Sequence, residues 1–507
     1  MSTATGTLPV DSEDKALAVF PAEGRLRRRA LSLGAANGFD YVAQFLLPVV
    51  LVRFLDAEAF GQYRLLWLAA GTVMAVATLG MPTTLYYFLP RSDGTGKRLY
   101  VNQTLLVLLL TGLVSGWAVS AWNPWLPENM HGLAQHEAIV PGFVVLWVVA
   151  SLLDLLPTVE ERVGWQAKAT IGLAAVRAVA LSLAAVLTRD LGFVLLVLLA
   201  FAAFKVALLL AYVARHHGLR TPLLRPSAFV DQLRHGAPFG AAGALYCLRA
   251  QVDQWVVAAL FSLGKFASFS IAAVLGPLVN LFRQSVNYVF LPSMSRLQAA
   301  GDTPGMLHLN SRANVMVGSL VYPLLAYVFA FAEELVTLVY TATYLDAAPV
   351  MRVCIVGLVA LVVELASITL LLRQGTFVMA VNLAGLALSL SLNWFLAQRF
   401  GLAGAAVGSV IAIYLDRSVT LWRIALLTGV RVRRLQDWRT LGLLLLLAAL
   451  AAAFAWYMVA RYFAAAELPV RLLVGGVLLA VAYAGVAAWC GPGRDWLAWA
   501  RNPQHGV

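Results

Sequence analysis

The stretch LGFVLLVLLAFAAFKVALLLAYV, residues 191–213, carries a single charged side chain, Lys205, in an otherwise apolar and aromatic run. As a helix rising 1.5 Å per residue it spans about 35 Å, enough to cross a hydrocarbon core roughly 30 Å thick. Runs of the same kind recur along the chain. They predict fourteen membrane helices near 31–54, 65–89, 99–122, 138–156, 169–187, 191–213, 238–260, 266–291, 312–331, 349–371, 377–397, 402–423, 441–462 and 469–489. Between the fifth and sixth only Thr188, Arg189 and Asp190 intervene. The composition agrees, with 61% hydrophobic and 12% charged residues among 507 and a mean hydropathy of +0.80. A soluble globular chain has about twice that charged fraction. The expected fold class is therefore an all-α polytopic membrane protein.

The formal net charge of +12 does not point to nucleic acid, because the basic residues sit mostly in short segments between apolar runs, where they orient helices. With an inside N-terminus, most of the 37 Lys and Arg residues fall on one side, so both termini are expected in the cytoplasm. Cys247, Cys354 and Cys490 lie in or at the end of apolar runs and read as small buried hydrophobes, with no metal or disulfide set. The first thirty residues show no signal-peptide order.

Two basic connections interrupt the pattern, HHGLRTPLLRPSAFVDQLRHGAP within 214–237 and RVRRLQDW within 424–440. Both read as interfacial helices, the first with Ser227 as N-cap. The first also divides six helices from the next six. A repeat supports that cut. FLDAEAFGQYRLLWLAAG leading to YYFLPRSDG is echoed by LFSLGKFASFSIAAVLG leading to YVFLPSMSRL, with Phe60 matching Phe266 at an offset of 206 and Pro90 matching Pro292 at 202. Repeats running the same way imply two six-helix lobes related by a pseudo-two-fold along the membrane normal. The expected organisation is a cytoplasmic tail (1–30), an N-lobe (31–213), the basic linker (214–237), a C-lobe (238–423), a basic connection (424–440), two C-terminal helices (441–489) and a tail (490–507).

The stretches VRFLDAEAFGQYRLLW and LGMPTTLYYFLPR, then LRAQVDQWVVAALFSLGKFASFSIA, VFLPSMSRLQAAGD, LVYTATYLDAAPVMRV and GLAGAAVGSVIA, resemble in order the polysaccharide-exporting flippases of the Wzx type. Those belong to the multidrug, oligosaccharidyl-lipid and polysaccharide exporter superfamily. The resemblance covers residues 31–423 and departs at Ala267, which stands in a Gly position. It implies twelve core helices around a central cavity, with translocation of undecaprenyl-diphosphate-linked saccharides across a bacterial inner membrane by alternating access. Lipopolysaccharide or exopolysaccharide export would be the purpose. The implied partners are the lipid-linked oligosaccharide, membrane lipids and a polysaccharide polymerase or export partner.

Ionisable residues inside membrane helices are costly and need a partner or water. Arg249 and Asp253 are four residues apart on one helix and can pair with each other, either as a structural pair or as part of a cavity. Arg283 shares a helix with Asn280, Gln284 and Asn287 and has no acid within a turn, which suits a cavity or an anionic ligand; snorkelling to headgroups is the other reading. Asn37, Asp40 and Gln44 share one face of the first helix, where Asp40 can pair with an Arg, bind a coupling cation or hold a structural hydrogen bond. In the resembled family, cationic cavity residues engage the diphosphate and acidic sugars, which suits Arg283 and Arg249. The candidate substrate-binding set is therefore Arg283, Arg249, Asp253, Asp40, Gln44, Asn280 and Asn287. Arg177, Lys205 and Glu364 read equally well as cross-helix salt bridges, and Arg352, Asp416 and Arg417 sit near enough to helix ends to snorkel. Tyr86, Tyr87, Trp122 and Trp125 read as interfacial belt residues. Pro48, Pro238 and Pro277 are candidate kinks.

Three functions follow for comparison: a lipid-linked oligosaccharide flippase, a cation-coupled small-molecule antiporter of the same superfamily, and a membrane saccharide polymerase or ligase. The deep Arg residues favour an anionic cargo. No long loop, Walker-type site or Gly-rich nucleotide loop supports an enzyme, and no cofactor or catalytic residue is expected.

Overall fold

The computed structural model describes residues 23–126, 130–217 and 223–489. The expected tail 490–507 with Cys490, most of the N-terminal tail and positions 218–222 of the linker lie outside the described residues. Among those described there are helices and no strands, as the bilayer demands of a backbone that must satisfy its own hydrogen bonds. The helices of six residues or more are α1 (Glu23–Phe54), α2 (Ala57–Ala77), α3 (Met81–Phe88), α4 (Gly94–Ala118), α5 (Ile139–Ala150), α6 (Val163–Thr188), α7 (Leu191–His216), α8 (Pro226–Leu260) and α9 (Leu263–Ala272). They continue with α10 (Leu275–Ala299), α11 (Thr303–Ala330), α12 (Ala332–Tyr340), α13 (Ala347–Leu361), α14 (Ala366–Leu371), α15 (Gly375–Thr428), α16 (Trp438–Tyr462) and α17 (Leu468–Trp489).

Ten described helices are long and apolar enough to cross a membrane, or up to eleven if the pair Ala57–Ala77 and Met81–Arg91, bent by 45°, is one span. Three features of the described helices separate that number from the expected fourteen. The run at 238–260, diluted by Arg249 and Asp253, belongs to the longer α8 and is not among them. The run at 349–371 is broken at 362–365 into α13 and α14. The runs at 377–397 and 402–423 are both present, but they abut without a loop as the two halves of the 54-residue α15 and so count once. They part at Gly401, where φ is 65° and ψ −148°, a region open essentially to glycine alone. Asn393 and Ser409 then meet at 3.0 Å although sixteen residues apart, so the two halves of α15 fold back on each other.

The three-residue gap at 188–190 is a true boundary. Arg189 takes the left-handed conformation that ends α6, and the Asp190 carboxylate accepts the Phe193 N–H that opens α7, the usual stop and start signals. The two interfacial helices expected in the basic connections are not separate. α8 begins at Pro226, a residue ahead of Ser227, and runs unbroken through Pro238 to Leu260, so Ser227 is no cap. Within 424–440, between the end of α15 and the start of α16, the chain makes only the short helical turn Val432–Leu435, and Leu435 and Gln436 are buried.

By contacts the described chain forms two compact units. Unit one takes the chain up to Val50, Gly80–Gly116 and Gly142–Ala237; unit two takes Leu51–Leu79, Trp117–Pro141 and the chain from Pro238. The divisions within α1 and α8 thus fall beside Pro48 and Pro238. In unit two, α2 lies against α9 so closely that a Cβ on Gly61 would stand 2.2 Å from the Leu263 carbonyl oxygen. The last two helices join the same unit through Phe331, Ala451, Ala455, Val459, Leu472 and Leu479. Small residues there give the close packing that stands in for a hydrophobic drive within lipid.

Candidate functional site

Unit one holds a cavity of about 340 Å³ lined by α1, α6, α7 and residues between them. The polar face of α1 points into it. Arg177 of α6 reaches Asp40 Oδ1 at 2.9 Å, and Gln44 donates to Asp40 Oδ2 at 2.7 Å. On another wall Lys205 of α7 meets Asp154 Oδ2 at 2.8 Å and lies 4.8 Å from the centre of the Trp147 ring. Arg177 and Lys205 therefore make the cross-helix salt bridges that were one of their two sequence readings. Both cations are buried, so their partners relieve a charge that would otherwise be expensive. Gln166 is also buried, yet its Oε1 has no hydrogen-bond partner. Neither Gln166 nor Tyr86, which also lines the cavity, was expected here. A neutral amide in a helix leaves no sequence signal, and Tyr86 looks like any interfacial aromatic.

Unit two gathers a second set. Arg249 of α8 does not pair with Asp253, four residues on. It meets Asp416 of α15 at 3.2 Å and donates to Asn382 Oδ1 at 2.6 Å. Its guanidinium lies where a Cβ on Gly385 would be, 2.9 Å from Nε, so a missing side chain on α15 makes room for it. Asp253 instead accepts from the Gln254 N–H at 2.8 Å. The i to i+4 geometry was available, but a second helix supplied Arg249 with its carboxylate.

Arg283 of α10 donates to Asn280 Oδ1 at 2.9 Å and, more weakly, to the Leu361 carbonyl at 3.4 Å. That carbonyl is freed because α13 ends there. Asn287 on the same helix donates to Ser367 at 2.5 Å. The break at 362–365 is clamped by a buried network: the Glu364 N–H donates to Asn314 Oδ1 at 3.0 Å, and Asn310 donates to the Glu364 carbonyl at 3.2 Å. Gln436 closes it, donating to Asn310 and accepting from Asn314. The Glu364 carboxylate takes the Ala366 and Ser367 N–H groups that begin α14. It is a helix cap and not the cross-helix salt bridge considered from sequence.

Arg417, set aside in sequence as a snorkeller, belongs to this cluster. The charges of Arg283, Asp416, Glu364 and Arg249 all act on it. Three guanidinium groups thus share a site with two carboxylates, one of which is committed to capping a helix. Nε of both Arg283 and Arg417 is buried without a hydrogen-bond partner. Asp416 and Arg417 were missed because α15 runs to Thr428, which places them deeper in the helix than an end near 423 would.

A family model described as "Polysaccharide biosynthesis protein" matches residues 26–298, more than half of the chain. No curated protein matches the chain by sequence. Among solved structures, the lipid II flippase MurJ in an inward closed conformation has a TM-score of 0.68 at 12% identity, covering 92% of this chain and 99% of that one. An inward-facing multidrug resistance MATE family transporter of the MOP superfamily has 0.60 at 13% identity, covering 77% and 96%. A MOP superfamily transporter from Pyrococcus furiosus has 0.51 at 10% identity, covering 79% and 95%. At these identities the likeness establishes a shared fold.

Proposed function

The chain belongs to the polysaccharide biosynthesis protein family, and from that membership we propose that it translocates undecaprenyl-diphosphate-linked oligosaccharide units across the cytoplasmic membrane by alternating access, for export of surface polysaccharide. One observation carries the reading: the Arg249, Arg283 and Arg417 cluster of unit two, in which two buried Nε groups lack acceptors. Buried, under-paired guanidinium groups are costly unless an anion or water meets them. A diphosphate supplies charge and several acceptor oxygens in the geometry that guanidinium groups bind best. Both termini then lie in the cytoplasm, and a polymerase or export partner takes the flipped unit.

A cation-coupled small-molecule antiporter is the competing reading within the same fold, and it draws on Asp40, an acid inside a cavity. Arg177 and Gln44 already occupy both oxygens of that acid, so an incoming cation would have to displace a fixed one.

The test is flipping of a fluorescent undecaprenyl-diphosphate oligosaccharide in proteoliposomes containing wild type, Arg283→Ala or Arg249→Ala at equal reconstitution. Wild type is expected to flip the lipid and the Arg283→Ala protein to lose most of the rate. A wild type that flips no acidic or neutral glycan but moves organic cations would replace this reading with the antiporter.

A further inference from the structure

We propose that the cavity of unit one is a saccharide subsite, a place for one sugar unit of the cargo; the inference rests on the reading of that cargo as a lipid-linked oligosaccharide. The electrostatics of the cavity select for a neutral ligand. Each of its two cations is held at about 2.9 Å by its own acid, Arg177 by Asp40 and Lys205 by Asp154. A phosphate would have to displace a carboxylate, and a metal or organic cation would have to displace a guanidinium or an ammonium. Neither exchange gains a charge partner that is not already present.

What remains unmet is neutral hydrogen bonding. The Gln166 Oε1 is buried, lines the cavity and has no donor, and an amide oxygen left so is destabilising by the full cost of its lost hydration. Its Nε2 makes only a long contact of 3.4 Å to Thr170 Oγ1. Thr170 and Asn37 add hydroxyl and amide groups to the same lining, and the Tyr86 ring adds an aromatic wall. A sugar hydroxyl both donates and accepts, so vicinal hydroxyls satisfy an amide oxygen and a threonine together. The volume of about 340 Å³ lies at the small end of ligand pockets, roughly 300–1,000 Å³. It suits a compact polar head and not a polyprenyl tail.

The experiment measures binding by native mass spectrometry to the whole protein in nanodiscs. The ligands are undecaprenyl diphosphate bearing one of a panel of neutral and acidic trisaccharides, and undecaprenyl diphosphate with no sugar. Wild type is expected to prefer the best sugar-bearing lipid by about tenfold, the worth of one or two hydrogen bonds. Gln166→Leu and, as a milder change, Thr170→Val should cut that preference severalfold while leaving affinity for the sugar-free lipid unchanged. Arg283→Ala should weaken both lipids alike. A preference untouched in both unit-one variants, or both lipids weakened equally by them, overturns the subsite.

If wild type binds neither lipid, the flippase reading falls by itself, and the cavity is then judged separately. Thr170→Cys, in a chain with Cys247→Ala, Cys354→Ala and Cys490→Ala, is labelled with a maleimide in the presence of the free trisaccharides. Protection by a trisaccharide supports the subsite. No protection by any of them, or protection by sodium or an organic cation instead, overturns it.

Discussion

Arg64 and Ser270 hold each other across the contact of α2 with α9. The guanidinium donates from Nε to the Ser270 hydroxyl at 2.9 Å and from Nη2 to its carbonyl at 3.1 Å. The two positions differ by 206, the offset that matches Phe60 with Phe266 in the repeat expected from sequence, so each stands where that repeat would place the other's counterpart. Both bonds have a charged donor, worth about 1.5–3 kcal/mol each. Ser270→Ala removes one of them and Arg64→Ala removes both, leaving a buried carbonyl short of a donor. Thermal unfolding in nanodiscs should therefore show the larger loss for Arg64→Ala, with the double variant close to Arg64→Ala alone. Equal losses, or a double variant equal to the sum, would mean that the two residues act independently.

The pair of Arg249 with Asp416 is mostly buried on both sides, which predicts an asymmetry between single and double substitutions. Asp416→Leu alone strands a guanidinium among Arg283 and Arg417 and should cost about 3–5 kcal/mol, the range for breaking a buried pair. Arg249→Met alone strands the carboxylate. The double variant leaves no orphan charge and should be more stable than either single one in denaturant titration. Additive losses would show that the pair does not neutralise itself.

These charges mark where sequence reasoning reaches and where it stops. The lipid-spanning class, the family and the turn at Arg189 and Asp190 were all legible, because each is written in local composition or spacing. Arg283 was legible as an Arg without a local acid. The partners were not. Sequence offers Arg249 the acid four residues away, whereas Asp416 reaches it only because α15 folds back at Gly401 and continues to Thr428. The broken helix between α13 and α14 looks like one continuous span in the sequence, because its four-residue break, VVEL, is three parts apolar. Only the polar clamp from Asn310, Asn314 and Gln436, fifty or more residues from Glu364 on either side, reveals that the backbone there is unwound.

At one end of unit one, Glu160 accepts from the Tyr212 hydroxyl and contacts His217 Nε2. Burial by itself pushes the Glu160 carboxyl up, but the hydrogen bonds from His217 and Tyr212, aided by the charges of His217 and Arg162, outweigh it and hold the carboxyl below its ordinary 4.5. A carboxyl depressed in the folded state stabilises the fold fully above its unfolded value, and that contribution fades as pH falls through the folded value. Melting temperatures from pH 7 to pH 3 should thus drop more steeply for wild type than for Glu160→Gln once the pH passes below about 4.5. Parallel curves would remove Glu160 from the acid sensitivity.

The fold-back of α15 predicts opposite outcomes for glycines that look alike in sequence. A Cβ on Gly408 would stand 2.3 Å from Asn393 Oδ1 and 2.7 Å from the Asn393 backbone N, and one on Gly404 would stand 2.0 Å from the Leu396 carbonyl oxygen. Backbone cannot give way as a side-chain tip can, so Gly404→Ala and Gly408→Ala force the halves of α15 apart and should cost about 1–3 kcal/mol each, as overpacking does. Gly401→Ala meets no atom but must hold φ at 65°, a strain of about 1–3 kcal/mol. Gly442, inside α16, has nothing within 4 Å of its absent Cβ, and Gly442→Ala should raise stability by about 0.5–1 kcal/mol through helix propensity alone. Thermal unfolding of the four variants side by side distinguishes packing from propensity. If Gly408→Ala melts with Gly442→Ala and above wild type, the close approach of the two halves at Asn393 is not a feature of the folded protein, and the placement of Asp416 beside Arg249 that depends on it falls with it.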